Sequence, residues 1–479
     1  MTLYIFNTLT GKKDEFVPLD SREVKMFVCG QTVYDDAHLG HAKTYISFDI
    51  VARWLRHEGY NLKYVQNITD VEDKIIARAH ERNMDPMDLA HYYEQRFFED
   101  MESIGVKKNV SMYPESSKYI SAIRDQIQVL ADKGFAYYLD GDIYYDVSKF
   151  ADYTKLSGMN IEELSKHRIE PKEGKRNSYD FALWKAAKPG DPKWLIGIDI
   201  DGKHYDLEGR PGWHIEDTAM TYSIFGPQYD IHGGARELIF PHHTNEIAQA
   251  EGAYGVKPFV RYWMHAGMLS IRGQEMHKSL KNFVRIRDFV SQNGAELLRF
   301  MIASTHYRKE INFTDSYVEA SKKNLFYIYS ALSIFYNIRE SGNGEGESSE
   351  ALVKITNSFK SEFAQAMNDD FNTPLALSKL AIFARDLRNF AGSVHQVEKK
   401  TKDYAIEAIL DAANVIGILG NDNYKKSVDE RVLEMINERD KLRKEKKFEE
   451  ADSIRSKLLA EYGIVVEDSD FGPLWYSKV

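Results

Sequence analysis

The sequence predicts an α/β protein: a parallel-sheet domain broken by an insertion, then a helical bundle and a small terminal module. Three observations carry that reading. Val24–Gly30 (VKMFVCG) is a short apolar run closing on glycine. After a loop at 31–39, the segment from Gly40 places Phe48, Val51, Ala52 and Leu55 at helical spacing. Gly59 ends the helix, and LKYVQNITD (62–70) reads as a second strand, so strand, loop, helix and strand open a parallel unit. The second observation is a loosened pattern between about 113 and 200, and the third is a change of character near 315, where long apolar-faced helices take over.

The remaining elements follow in order. Residues 72–102 continue as helical segments rich in Glu, Arg and His; 119–134 (YISAIRDQIQVLADKG) is an amphipathic helix; and 135–150 alternates as a hairpin does. Residues 166–181 are polar and punctuated, marking the insertion; strand-like and loop segments return at 213–240, and 293–307 closes the α/β region. Residues 316–340 read as one long helix, and SGNGEGESSE (341–350) as a solvated linker with almost nothing to bury. Helices are expected at roughly 351–368, 374–391 and 402–418, with Thr373-Pro374 as N-cap and N1 of the second, and a charged helix pair at 439–459. The expected domains are 1–112 and 201–314 as two halves of the α/β domain, 113–200 as the insertion, 315–422 as the bundle and 423–479 as the terminal module.

Composition narrows the function classes. The 479 residues carry 63 Lys+Arg against 73 Asp+Glu, a net charge of −10, which argues against attachment to nucleic acid by bulk charge. Hydrophobic residues at 43% and charged residues at 28% describe a globular chain, not a disordered one. One cysteine, Cys29, excludes an internal disulfide and points to a reducing compartment, and no window has the apolar length of a membrane span. A cytoplasmic protein is expected.

Four groups of residues carry chemistry. His38-Leu39-Gly40-His41 falls where the first strand hands over to the first helix, so two imidazoles and free helix N–H groups can meet phosphate oxygens, with bare backbone at Gly40 for a flat ring. Thr32, Asp36 and Lys43 lie close enough in sequence to orient a ligand. Met276-His277-Lys278-Ser279 follows a glycine-flanked turn, where a lysine can close over phosphates, although a loop lysine is ordinarily just solvated. His242 and Glu246 in PHHTNE are four apart, one face of a helix, as a metal pair needs. Cys29 and Asp217 are candidate partners. A sole cysteine beside an apolar strand is more often a small buried hydrophobe, but Cys29 sits at the carboxyl end of a parallel strand, where open sheets bind ligands. Finally, Asp230-Ile-His232-Gly233-Gly234 permits close ligand approach, and Trp213 with His214 can wall a small pocket, unless both are ordinary turn and core packing.

Taken together, these blocks resemble the class I aminoacyl-tRNA synthetases, and within them the cysteinyl-tRNA synthetase family. The resemblance runs over nearly the whole chain: FVCGQTVYDDAHLGHAKTYISFD (27–49), NITDVEDKI (67–75), DYTKLSG (152–158), DFALWK (180–185), GRPGWHIE (209–216), DIHGG (230–234), FPHHTNEIAQ (240–249), HYRKEINFTD (306–315), and EADSIRSKL with GIVVEDSDFGPLW in the tail. It implies a Rossmann-like catalytic sheet with a connective insertion, a helical bundle and a C-terminal anticodon-binding module. It also implies formation of cysteinyl-adenylate from L-cysteine and ATP with Mg²⁺, then transfer to tRNA(Cys), by a monomer. His38, His41 and Lys278 would serve catalysis and, with Gly40, ATP binding. Thr69, Trp213 and His232 would surround the cysteine, and Cys29, Asp217, His242 and Glu246 would hold one Zn²⁺.

This chain departs from the family pattern at named positions. Asp217 stands where a second cysteine ligand is usual, and Glu275 and His277 replace the first lysine and middle serine of the KMSKS loop. Gln31, Glu72, Thr244, Ala235 and Glu237 also differ. Two rivals share the catalytic half: a ligase joining cysteine to an amino sugar, which lacks the final module, and a non-catalytic metal- or RNA-binding paralogue. Residues 425–479 argue against the first, and retention of His38, His41 and Lys278 against the second.

Overall fold

The computed structural model describes residues 1–160, 172–275, 283–341, 347–394, 396–420, 422–425, 428–468 and 473–477. It divides into two compact units, residues 2–292 with 307–312, and 293–306 with 313 onward. The first unit begins with an antiparallel hairpin, β1 (Tyr4–Asn7) and β2 (Lys12–Glu15). Then come β3 (Glu23–Thr32), α1 (Leu39–His57), β4 (Asn61–Thr69), α2 (Asp73–Arg82), α3 (Pro86–Ser103) and α4 (Ile120–Asp132). Strands β5 (Ala136–Leu139), β6 (Asp142–Tyr145), β7 (Phe181–Ala186), β8 (Trp194–Ile200) and β9 (Lys203–Pro211) follow. They form one antiparallel sheet in the order β5-β6-β7-β9-β8.

The chain next enters α5 (Ile215–Phe225), β10 (Tyr229–Ala235), α6 (His242–Tyr254), β11 (Val260–Ala266), β12 (Leu269–Ile271), β13 (Gln274–Glu275) and α7 (Ile286–Asn293). The central sheet is four parallel strands in the order β11-β10-β3-β4, as the opening strand–helix–strand pattern predicts. Phe27, Val65 and Trp263 on three of these strands are completely buried, which is why the strands read as near-continuous apolar runs. The segment at 213–240, expected as strand and loop, contains helix α5. Its residues from Ile215 through Thr221 are all buried, so no polar face announces a helical period.

Two short-range features aim the site. The β3–β4 ladder breaks register between Val28 and Gln31, lifting Cys29 and Gly30 out of regular pairing at the carboxyl end of the strand. A Cβ on Gly30 would sit 1.6 Å from the Asn67 carbonyl oxygen, so only glycine permits this approach. Lys43, expected near a ligand, is instead almost fully buried on α1, donating to the Met268 carbonyl at 3.2 Å and to the Lys309 carbonyl. Burial pulls its pKa down to about 8. Lys43→Met is expected to cost about 1–3 kcal/mol in urea unfolding, since two carbonyls lose their donor. An unchanged midpoint would show that the pair contributes nothing.

The second unit holds α8 (Ala295–Ala303), α9 (Asp315–Tyr336), α10 (Glu347–Asn368), α11 (Thr373–Ala391) and α12 (Lys399–Ile416), the aromatic contact of Phe359 on Phe383 at 4.2 Å joining α10 to α11. Strand β14 (Ile311–Phe313) precedes α9 and pairs with β12. Helix α9 stops at Tyr336, earlier than expected, because β15 (Arg339–Ser341) pairs in parallel with β16 (Gln396–Glu398). The cap of α11 is Asn372, whose side chain accepts from Leu375 N–H, so Thr373 is the first helical residue and not the cap. The tail folds as α13 (Glu430–Lys444), α14 (Phe448–Tyr462) and a hairpin of β17 (Ile464–Glu467) and β18 (Leu474–Ser477), around Val432, Ile436, Leu458, Ile464 and Val466. Arg439, at the start of the segment expected as a charged helix pair, is fully buried and ion-paired to Asp468.

Candidate active site and metal centre

The carboxyl ends of β3, β4 and β10 open into a cavity of about 780 Å³ that His38, His41, Thr69, Trp213 and Cys29 help to line. His38 is the N-cap of α1. Its Nδ1 accepts from Gly40 N–H at 3.0 Å, and His41 Nδ1 accepts from His38 N–H at 3.3 Å. The two rings stack with centroids 3.8 Å apart. Backbone N–H groups on both Nδ1 atoms fix the tautomer: each neutral imidazole carries its proton on Nε2, a donor left over for a ligand. Burial holds His38 down at about 4, and burial with the adjacent His38 holds His41 well below the usual value.

These rings are therefore neutral donors at neutral pH, and the sign of their pH effect follows. Above 6.5 neither folded nor unfolded His38 carries the extra proton; as pH falls toward about 4 only the unfolded state takes it up, so the fold loses stability. His38 is expected to titrate near 4 in a histidine-selective NMR experiment. An inflection near 6.5 would show a solvated ring instead.

Deeper in, four side chains from three elements converge. Cys29 (β3), Asp217 (α5), His242 and Glu246 (α6) are buried, with one donor atom from each within 4.8 Å of the others. His242 Nε2 lies 3.0 Å from Asp217 Oδ2 and 3.1 Å from Glu246 Oε1, while its Nδ1 meets His214 Nδ1 at 2.8 Å. Cys29 Sγ is 3.5 Å from Asp217 Oδ2. One imidazole nitrogen cannot satisfy two carboxylates, and neither Glu246 oxygen has a hydrogen-bond partner among the described residues although both are buried. Burial and then Asp217 push the Glu246 carboxyl up, and burial followed by Asp217 and Glu246 pushes the Cys29 thiol up. Excess anionic donors around a common point are what a divalent cation relieves, and one sulfur, one nitrogen and two oxygens suit zinc. The set fits the metal.

A second, overlapping group uses Cys29 and Glu246 with His232 and His243. Their Nε2 atoms lie 3.3 Å and 3.1 Å from Cys29 Sγ. His232 Nδ1 meets Tyr229 Oη at 2.6 Å; His243 Nδ1 meets His265 Nε2 at 2.8 Å, and His265 Nδ1 meets Thr8 Oγ1 at 2.8 Å. Sequence reading passed over His243 and His265. The first hides behind its neighbour His242, and the second lies on a buried strand, where histidine carries no pattern. Trp213 is half-buried with its ring 4.6 Å from that of His242, and Thr69 is buried beside Asn67. Lys278 and His277 lie outside the described residues.

Backbone pairing ties the described residues that follow them to the first motif. Leu39 N–H donates to Val284 O and Ile286 N–H to Ala37 O, both at 3.0 Å, and Asp36 is held by Arg96 and Arg285.

Residues 15–323 match the family model for the class I (C) tRNA synthetase catalytic domain, and 362–420 match the DALR domain, on the helices α10 to α12. A cysteine–tRNA ligase of Thermococcus onnurineus is 41% identical over 483 residues, 99% of each chain. The chain belongs to the cysteinyl-tRNA synthetase family. A cysteine–tRNA ligase of Aquifex aeolicus is likewise 41% identical, over 100% of this chain and 99% of its own. Among solved structures, Mycobacterium tuberculosis methionyl-tRNA synthetase bound to methionyl-adenylate gives a TM-score of 0.61 at 13% identity, covering 84% of this chain and 93% of that one. A Campylobacter jejuni structure described as a putative arginyl-tRNA synthetase gives 0.54 at 13%, covering 83% and 93%. Those two likenesses establish the fold. For this member of the cysteinyl-tRNA synthetase family, the Rossmann-like parallel sheet and the helical region are thus both in place. No described helix is long and apolar enough to cross a membrane.

Proposed function

We propose that the chain is a cysteine–tRNA ligase, activating L-cysteine with ATP and Mg²⁺ and then charging tRNA(Cys). The observation that carries this reading is the joining, in one cavity, of a two-imidazole cradle at the N-terminus of α1 with a buried sulfur–nitrogen–oxygen donor cluster. The near full-length identity to cysteine–tRNA ligases supports it. In the first step the substrate carboxylate attacks the α-phosphorus and pyrophosphate leaves. In the second, a ribose hydroxyl of the terminal adenosine attacks the activated carbonyl and AMP leaves. No protein nucleophile is required.

His38 and His41 donate from Nε2 to phosphate oxygens, and Gly40 keeps the helix terminus open to the nucleotide. Lys278 adds positive charge. Thr69, Trp213 and His232 surround the amino acid, and Cys29, Asp217, His242 and Glu246 would hold the zinc. When bound, the metal supplies a Lewis acid for the substrate thiolate, a ligand that serine cannot match. We assign tRNA contact to the helical unit and to the module at 423–479, the connective insertion to 113–200, and a cytoplasmic, monomeric life to the chain.

The test is cysteine-dependent ATP–pyrophosphate exchange, followed by charging of a tRNA(Cys) transcript. Exchange with cysteine but not serine, and charging of the transcript, is expected. Exchange with transfer to an amino sugar alone would favour the small-molecule ligase, and no exchange would sink both.

A further inference from the structure

A carboxylate at position 217 raises a coordination problem that a thiolate does not. It has two oxygens and can take a metal through one or both. The structure places a specific partner on one of them. Asn67 Nδ2 donates to Asp217 Oδ1 at 2.7 Å, whereas Oδ2 is the oxygen that faces His242 Nε2 and Cys29 Sγ. Asn67 and Asp217 are 1% and 2% exposed, so water does not compete for this bond.

The orientation of the Asn67 amide is not arbitrary. Its Oδ1 accepts from Gly30 N–H at 2.6 Å, and a backbone N–H can meet only the oxygen end. Nδ2 is thereby turned toward Asp217 and Thr69 Oγ1, the latter at 3.3 Å. The Gly30 N–H is available because the ladder breaks register there, and the approach is possible because Gly30 has no side chain. Strand irregularity, amide orientation and carboxylate geometry thus form one chain of cause.

We propose that Asn67 is the positioning residue that makes Asp217 a one-oxygen metal ligand, holding Oδ1 so that Oδ2 alone substitutes for a thiolate. This rests on the metal-centre reading above. Four donors then remain four donors, and the tetrahedral preference of zinc is kept. Outer-shell partners of this kind tune affinity by about 10–100-fold.

The test is zinc affinity, by chelator competition, of wild type, Asn67→Ala, Asp217→Cys and the double variant, without substrate. Asn67→Ala is expected to weaken zinc about 10–100-fold when Asp217 is present and by less than about threefold in the Asp217→Cys background, because a thiolate has no second oxygen to hold. Equal losses in both backgrounds, or no loss in the first, would overturn the proposal. X-ray absorption on zinc-loaded wild type gives an answer even if Asn67→Ala does not fold. One sulfur near 2.3 Å and three nitrogen or oxygen donors near about 2.0 Å are expected; a fourth such donor would overturn it. Wild type that binds no zinc would fail the metal-centre reading itself, a result distinct from zinc bound without regard to Asn67.

Discussion

His41→Asn is expected to lower kcat for cysteine-dependent ATP–pyrophosphate exchange by about 10²–10³-fold, the usual effect of removing one preorganised donor from developing charge. The argument rests on the fixed tautomer. With His41 Nδ1 occupied by the His38 N–H, the Nε2 proton is its one remaining donor, and a shorter amide cannot place an N–H at the same point. His38→Ala should differ in kind, because His38 is also the N-cap of α1. It is expected to lose rate together with about 1 kcal/mol of stability. Steady-state kinetics beside thermal unfolding separates the two variants. Equal kcat for His41→Asn and wild type would remove the ring from the phosphate cradle.

Chelating the metal should have the second large effect. Exchange is expected to fall by about 10³-fold, corresponding to the several kcal/mol that a Lewis acid contributes, and to return on addition of zinc. The protein without metal should also be less stable, since Cys29, Asp217 and Glu246 would again crowd one another without a cation. Cys29→Ser should behave as the stripped protein does and should not recover with zinc. Full activity after verified zinc removal would show that cysteine is recognised by the side-chain pocket alone.

The sequence made the site legible where chemistry and period coincide. Cys29 at the end of an apolar strand and the His38/His41 pair at a strand-to-helix junction line the cavity, and His242 with Glu246 one helical turn apart bring their donor atoms to Cys29. It was illegible where an element is buried on every side. In α5 and α6 most residues are covered, so no amphipathic stripe marks the helices, and His243 looks no different from its neighbour His242. Asn67 was missed for another reason. Its importance comes from a register break and a side-chain contact across 150 positions of sequence, which no local spacing encodes. The short β15–β16 pair, joining distant segments, was lost in the same way.

The pairing of 37–39 with 284–286 has a kinetic meaning. Lys278 lies six residues before Val284, and Val284 is hydrogen-bonded to the backbone next to His38. Fully extended, that tether reaches no farther than about 20 Å. With about 6 Å of side chain added, the lysine's ammonium group stays within about 26 Å of Val284, a local concentration on the order of 20 mM before any attraction is counted. Under the proposed role of Lys278, covalent confinement supplies the cradle with a cation. In the function proposed above, a segment that has Glu275 and His277 in place of the usual residues still keeps its lysine as an intramolecular reagent.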